Sequence, residues 1–389
     1  MPASPLPLLL LLPLLVGHAL CVHLVSLQSP PPAVFSGLSA DATRHLPAIV
    51  GAHGYRAETY HVRTSDGYIL TLYRIRPTIA GGARPVLLMH GLLLSAECFV
   101  DAGPESGLAY SLADAGRDVW VGNQRGSYHG RRHRRLDPDS DPAFWRFSYH
   151  EMGVYDLSAI VDRITAATGA DAIDYVGYSE GGAAFFILCS ERPDYQRKFN
   201  VAVMLAPSSR MRATRSPLFR TFATAASNLG DGELMPRLYL RGVGALLDAL
   251  EPHHAGSVAR RTLRAIEGHF PAGTSVRTVA HFAQALRSDD FLAYDHGALE
   301  NVLVYGSERP PAYNLSAVLV PVALVSARGD RIVDVRDVSW LARRLPRLLR
   351  HHTLQHPRWN HFDFAYSQMV VGMRYTGHAE YAQLVCAQS

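Results

Sequence analysis

Cysteine is scarce in this chain of 389 residues: Cys21, Cys98, Cys189 and Cys386 are the four present. Cys21 closes an apolar leader, so removal of the leader leaves at most one disulfide, whose partners spacing does not reveal. That excludes a small disulfide-stapled scaffold, and a chain this long can bury a core without such links. Charge of one sign is lacking too. The formal net charge is only +4, which gives no global argument for a nucleic-acid partner. No Cys/His grouping has convincing zinc spacing and no Gly-rich phosphate loop occurs, so no metal or other cofactor is expected. Beyond the leader, no apolar run reaches membrane-spanning length without charges. Internal repeats and long low-complexity tracts are also missing.

What is present is ordinary globular composition, 48% hydrophobic and 19% charged. The leader, residues 1–24, reads as a cleaved signal peptide. Leu8 to Val16 is apolar apart from Pro13, and Gly17-His18-Ala19 places small residues at a cleavage site, although the usual basic residue near the start is missing. A secretory route, with release outside the cell or delivery to the lysosomal lumen, is the expectation. The sequon Asn314-Leu315-Ser316 then becomes a candidate glycosylation site at Asn314.

After the leader and the Pro30–Pro32 linker, alternating residues from Tyr60 to Tyr73 around Ser65-Asp66-Gly67 predict a β-hairpin. Continuous apolar runs follow at Pro85–Met89, Asp118–Val121, Ile173–Val176, Val201–Leu205 and Val318–Val325, separated by helical patterns. Strands apolar throughout, alternating with helices, predict a mostly parallel central sheet with helices on both faces, an α/β fold. Residues 208–305 break that rhythm with helix-like pieces, one of them opened by Pro236. We read this stretch as a helical cap inserted between core segments 25–207 and 306–389, over the carboxyl ends of the strands.

The sharpest motif is Gly177-Tyr178-Ser179-Glu180-Gly181, between the run ending at Val176 and the helix-like Gly182–Leu188. G-x-S-x-G in a strand–turn–helix setting is the nucleophile elbow of the α/β-hydrolase fold, and it nominates Ser179. A serine hydroxyl needs a base, and the base an orienting carboxylate; in this fold the chain order is Ser, acid, His. The acid lies past a late strand, where Asp330 and Asp334 compete and Asp337 has a helix-capping explanation. The base follows it. His361, in the loop Trp359-Asn360-His361-Phe362-Asp363-Phe364, fits better than His351 and His352, which adjoin a strand. Backbone amides of Glu180 and of Leu92, after the strand ending in His90-Gly91, are the candidate oxyanion hole.

These segments resemble the acid lipase family, which contains gastric lipase and lysosomal acid lipase. The resemblance runs from Gly54-Tyr55 and Asp66-Gly67-Tyr68 through His90-Gly91-Leu92-Leu93, Asn123-Gln124-Arg125-Gly126 and Phe147–Gly153 to Pro311–Leu315, Gly329-Asp330 and Trp359–Phe364. It implies metal-free hydrolysis of triacylglycerol or cholesteryl esters at a lipid or membrane surface, and it favours Asp330 over Asp334. Three substitutions stand out: the family's elbow is usually Gly-His-Ser-Gln-Gly, where this chain has Tyr178 and Glu180, and its Asn-x-Arg-Gly-Asn loop ends here in Ser127. The cap also lacks the cysteine pair of some members. An esterase for short esters and a silent lipid-binding relative are the competing expectations, the second suggested by Glu180 alone.

Overall fold

A computed structural model describes residues 39–79, 84–235, 243–251 and 257–368. The expected signal peptide, Cys21, Pro236 and Cys386 lie outside the described residues. Ten strands run in chain order: β1 (Ala57–Arg63), β2 (Ile69–Ile75), β3 (Val86–Met89), β4 (Val119–Gly122), β5 (Ile173–Tyr178), β6 (Phe199–Leu205), β7 (Glu233–Leu234), β8 (Thr274–Ser275), β9 (Val322–Ala327) and β10 (Leu348–Leu354). Eight of them form one sheet in the order β1-β2-β4-β3-β5-β6-β9-β10.

The expected hairpin is β1–β2, with Arg63 opposite Ile69 and Gly67 turning the chain at φ +111°. β2 pairs antiparallel with β4, and every pair from β4 to β10 is parallel. In β3, β4, β5 and β9 every residue is buried, which is why these segments read as unbroken apolar runs. One boundary differs from expectation. The run from Val318 becomes strand only at Val322, because Pro321 has no N–H to give a ladder; its carbonyl instead accepts Ala202 N–H at 2.9 Å.

Helices α1 (Leu46–Ala52), α2 (Leu108–Asp114), α3 (Ser158–Thr168) and α4 (Glu180–Glu191) belong to the first half of the sheet region. α4 follows β5 directly and buries ten of its twelve residues, so it is held on all sides. Between β6 and β9 lie α5 (Pro217–Ala226), α6 (Val243–Leu250), α7 (Arg260–Ile266), α8 (Val276–Ala285) and α9 (Ala298–Tyr305). This stretch also holds the two-residue ribbon β7–β8, which periodicity did not anticipate because strands this short carry no alternation. After β9, α10 (Val335–Ala342) leads to β10.

No helix among the described residues is long and apolar enough to cross a membrane. Cys98 and Cys189 are buried and unpaired with each other.

Candidate active site

Ser179 sits between the last residue of β5 and the first of α4 at φ +54° and ψ −113°, a conformation rare for a residue with a side chain. The turn can be that sharp because glycines stand around it. A β-carbon on Gly181 would lie 2.5 Å from the Met89 carbonyl oxygen, and one on Gly91 would lie 2.9 Å from Ser179 Cβ. The glycines thus let β3, its following loop and the elbow close on one another, leaving the hydroxyl at the carboxyl end of the sheet.

Two loops meet that hydroxyl. Asp330 follows β9, where it is fully buried; its Oδ1 accepts the amides of Ile332 (3.0 Å) and Val333 (2.7 Å). His361 follows β10 in a loop closed by a reciprocal pair. Asn360 N–H donates to Asp363 Oδ2 at 2.9 Å, and Asp363 N–H donates to Asn360 Oδ1 at 3.1 Å. His361 Nδ1 lies 2.8 Å from Asp330 Oδ2, and its Nε2 lies 2.9 Å from Ser179 Oγ. The three predicted residues therefore form one hydrogen-bonded chain: with Nδ1 protonated toward the carboxylate, Nε2 is free to accept the serine proton.

The rival acids have other work. Asp334, not Asp337, is the N-cap of α10, accepting Arg336 N–H at 2.9 Å and pairing with the Arg215 and Arg336 side chains. Asp337, expected to cap that helix, sits in its first turn and instead accepts from Arg210 Nε (2.9 Å) and Ala213 N–H (2.7 Å). Among the other histidines, His351 lies in β10 with Nε2 at 2.9 Å from Ser326 Oγ.

Of the two predicted oxyanion donors, neither Leu92 N–H nor Glu180 N–H has a protein acceptor among the described residues. Both flank Ser179 in space: Glu180 opens α4, and Leu92 follows the Gly91 that touches Ser179. The Leu92 loop is fixed from behind. His90 accepts Gln124 N–H at Nε2 (3.1 Å) and donates from Nδ1 to its neighbour's carbonyl (2.9 Å). Burial holds His90 down to about 4, so it stays neutral and keeps that role. Behind Gln124, Arg125 is buried between two carboxylates, binding Asp156 through Nε (2.8 Å) and Asp66 through both terminal nitrogens (2.6 and 3.0 Å). Its guanidinium lies 3.9 Å from the Tyr68 ring. The Asn-Gln-Arg-Gly motif is thus a brace for the His90–Leu92 loop. Ser127, the departure in that motif, returns its hydroxyl to the Gln124 carbonyl at 2.8 Å.

Glu180 carries its carboxyl into the interior at 1% exposure, with Oε1 lacking any partner among the described residues. A carboxylate in the first helical turn gains from the helix dipole, but desolvation outweighs that here and raises the group to about 8. Below that pH it is neutral, so it does not oppose a developing negative charge.

Three side chains escaped the sequence reading. Tyr178 donates its phenol to the His361 carbonyl at 2.8 Å, Ser208 Oγ lies 3.4 Å from Ser179 Oγ, and Glu251 accepts the amides of Arg331 and His361. No local pattern marks Ser208 or Glu251; Tyr178 was visible only as an unusual residue in the elbow. Asn314 is exposed, its side-chain oxygen accepting from Ser316 Oγ at 2.6 Å. The fold also gathers His45, Glu97 and His129, whose potential ligand atoms lie within 4.8 Å of one another. Glu97 is already satisfied by His129 Nε2 (2.7 Å), Leu46 N–H (3.0 Å) and Ser95 Oγ (2.7 Å), which is a complete hydrogen-bonded network.

A family model of the α/β-hydrolase fold matches residues 84–366, and one of the partial α/β-hydrolase lipase region matches residues 46–103. Gastric triacylglycerol lipase of Bos taurus is 36% identical over 355 residues, covering 84% of this chain and 88% of the relative. Lipase 1 of Drosophila melanogaster is 34% identical over 352 residues, covering 87% and 79%. Among solved structures, carboxylesterase CesB of Bacillus subtilis aligns with a TM-score of 0.52 at 12% identity, covering 87% of this chain and 95% of that one. That distant likeness speaks to the fold; the two lipases and the family models speak to kinship. The chain belongs to the lipase family of the α/β-hydrolase fold, the serine ester hydrolases that include gastric triacylglycerol lipase.

Proposed function

We propose that this chain is a lipase of the secretory route, extracellular or lysosomal, that hydrolyses lipid carboxylic esters such as triacylglycerol or cholesteryl ester. The observation that carries this reading is the continuous Ser179–His361–Asp330 chain beside two amides without acceptors among the described residues. Gastric triacylglycerol lipases among the relatives supply the substrate class.

The reaction is acyl transfer to water. Ser179 Oγ attacks the ester carbonyl while His361 Nε2 takes its proton, and Asp330 stabilises the resulting imidazolium. The oxyanion is met by the Leu92 and Glu180 amides, each worth about 3 kcal/mol of transition-state stabilisation. The imidazolium then protonates the leaving alkoxide, which departs and leaves an acyl-serine. Water attacks next, His361 takes its proton, and the fatty acid leaves as the proton returns to Ser179. The helical segment 208–305 serves as the cap over this site, and a lipid surface is the partner that delivers substrate. Asn314, exposed, is the glycan acceptor in this reading.

Hydrolysis of emulsified triolein and of a p-nitrophenyl ester series between about pH 4 and 8, spanning carboxyl and imidazole titration, tests it. Triolein cleavage that vanishes in Ser179→Ala is expected. Activity confined to short soluble esters would replace the lipase by an esterase, and inactivity on every ester would leave a silent lipid binder.

A further inference from the structure

We infer that Glu251, from the inserted helical segment, is a positioning residue of the triad that ties the acid-bearing and base-bearing loops together. This rests on the triad reading above. Glu251 directly follows α6, where its amide closes the helix on the Leu247 carbonyl at 2.8 Å, and it is 1% exposed. Its two carboxyl oxygens go to different loops. Oε1 accepts the amide of Arg331, the residue after Asp330, and Oε2 accepts the amide of His361 itself at 3.2 Å.

Besides that carboxyl and the Asp330–His361 bond, the two loops meet through closely packed backbone. Gly329 packs against the Trp359 and Pro357 carbonyls so closely that no β-carbon fits. One carboxyl therefore bridges the two backbones whose spacing sets the 2.8 Å bond from His361 Nδ1 to Asp330 Oδ2. A second tie runs beside it: Ser257, also inserted between β6 and β9, donates to Asp363 in the His361 loop, and Val258 forms a bridge with Ser367. The inserted segment thus holds both loops: on the acid side the Thr214 hydroxyl donates to the Ile332 carbonyl (2.8 Å) and the Arg215 amide to the Arg331 carbonyl (2.7 Å), and Glu251 is the residue that reaches both.

Burial, with Asp330 close by, pushes the Glu251 carboxyl well above the usual carboxylate range, opposed by the two amides it accepts. Its contribution is geometric: a misplacement of about 1 Å at a reacting pair can cost on the order of a hundredfold in rate.

The test compares Glu251→Gln, Glu251→Ala and Ser179→Ala with the unaltered chain on p-nitrophenyl butyrate, with thermal unfolding of each. We expect kcat to fall about ten- to a hundredfold in Glu251→Ala, with KM within about twofold, because only the reacting geometry is lost. Glu251→Gln, neutral and of the same shape, keeps one acceptor and falls between. A folded Glu251→Ala with unaltered kcat, or a change in KM alone, overturns the inference. If Glu251→Ala does not fold, Glu251→Gln decides by the same criterion of lowered or unaltered kcat. Ser179→Ala separates the two layers: activity surviving there sinks the triad, whereas its loss beside a fully active Glu251 variant sinks only the role of Glu251.

Discussion

The Tyr178 hydroxyl donates to the His361 carbonyl at 2.8 Å, so the residue before the proposed nucleophile holds the backbone of the proposed base. The two rings also lie 5.2 Å apart at a tilt of 34°. The Ser179 turn and the His361 loop are therefore joined twice, by the Ser179–His361 side-chain bond and by this one behind it. Tyr178→Phe keeps the ring and leaves a buried carbonyl unpaired, which costs about 1–3 kcal/mol. The expected outcome is a lowered midpoint in urea unfolding with a severalfold drop in kcat. An unaltered midpoint would show that water replaces the phenol without loss.

Asp330 and Asp334 lie four positions apart but differ in their partners. Asp330→Asn keeps the side chain's size but removes the charge that fixes the His361 tautomer and stabilises the imidazolium. The comparable change in the serine-protease triad costs about 10⁴ in kcat, and a loss of roughly 10³–10⁴ is expected here. Asp334→Asn alters a helix cap and its arginine pairs, with an expected effect of about 1 kcal/mol on stability and little on kcat. Steady-state kinetics of the two variants side by side checks the assignment, and a greater rate loss in the Asp334 variant would reverse it.

Legibility in the sequence followed the distance over which each feature is specified. Ser179 was readable because its turn, its strand and its helix all fall within twenty residues. The buried strands were readable because parallel pairing hides both faces and leaves an apolar run. Asp330 was not separable from Asp334 by residues alone, since both follow β9 and only folding shows which one reaches His361. Glu251 was invisible. Its partners are backbone amides 80 and 110 positions away, and backbone amides leave no trace in side-chain identity. Glu180 was legible as a departure, but its protonation depended on burial that the sequence does not display.

Arg125 spreads one guanidinium over Asp66, Asp156 and the Tyr68 ring while itself only 1% exposed. A lysine there keeps the charge but loses the planar fork and the stacking, so it cannot serve both carboxylates. Arg125→Lys leaves the fully buried Asp156 short of partners, an imbalance worth about 3–5 kcal/mol. Chemical denaturation should register that loss. Because the same loop backs His90 and Leu92, the folded fraction should also turn over more slowly. Retained stability would mean that the surrounding hydroxyls and amides satisfy Asp156 without its arginine.

Glu180 makes stability depend on pH in a direction opposite to that of a salt-bridged acid. Its ordinary value is 4.5 and burial raises it to about 8. Between those values the folded chain holds a proton that the unfolded chain has released. Stability is therefore fully present below about 4.5 and falls as pH rises toward 8. The loss attributable to this one group is at most about 5 kcal/mol, the product of the shift and 1.36 kcal/mol per pH unit. Glu180→Gln is neutral at every pH and removes the slope, while keeping the backbone amide proposed for the oxyanion. Melting temperatures of both proteins from pH 5 to 8 should diverge, with the glutamine variant gaining on the unaltered chain as pH rises. Parallel curves would show that Glu180 is ionised, or finds a partner, in the folded protein at neutral pH.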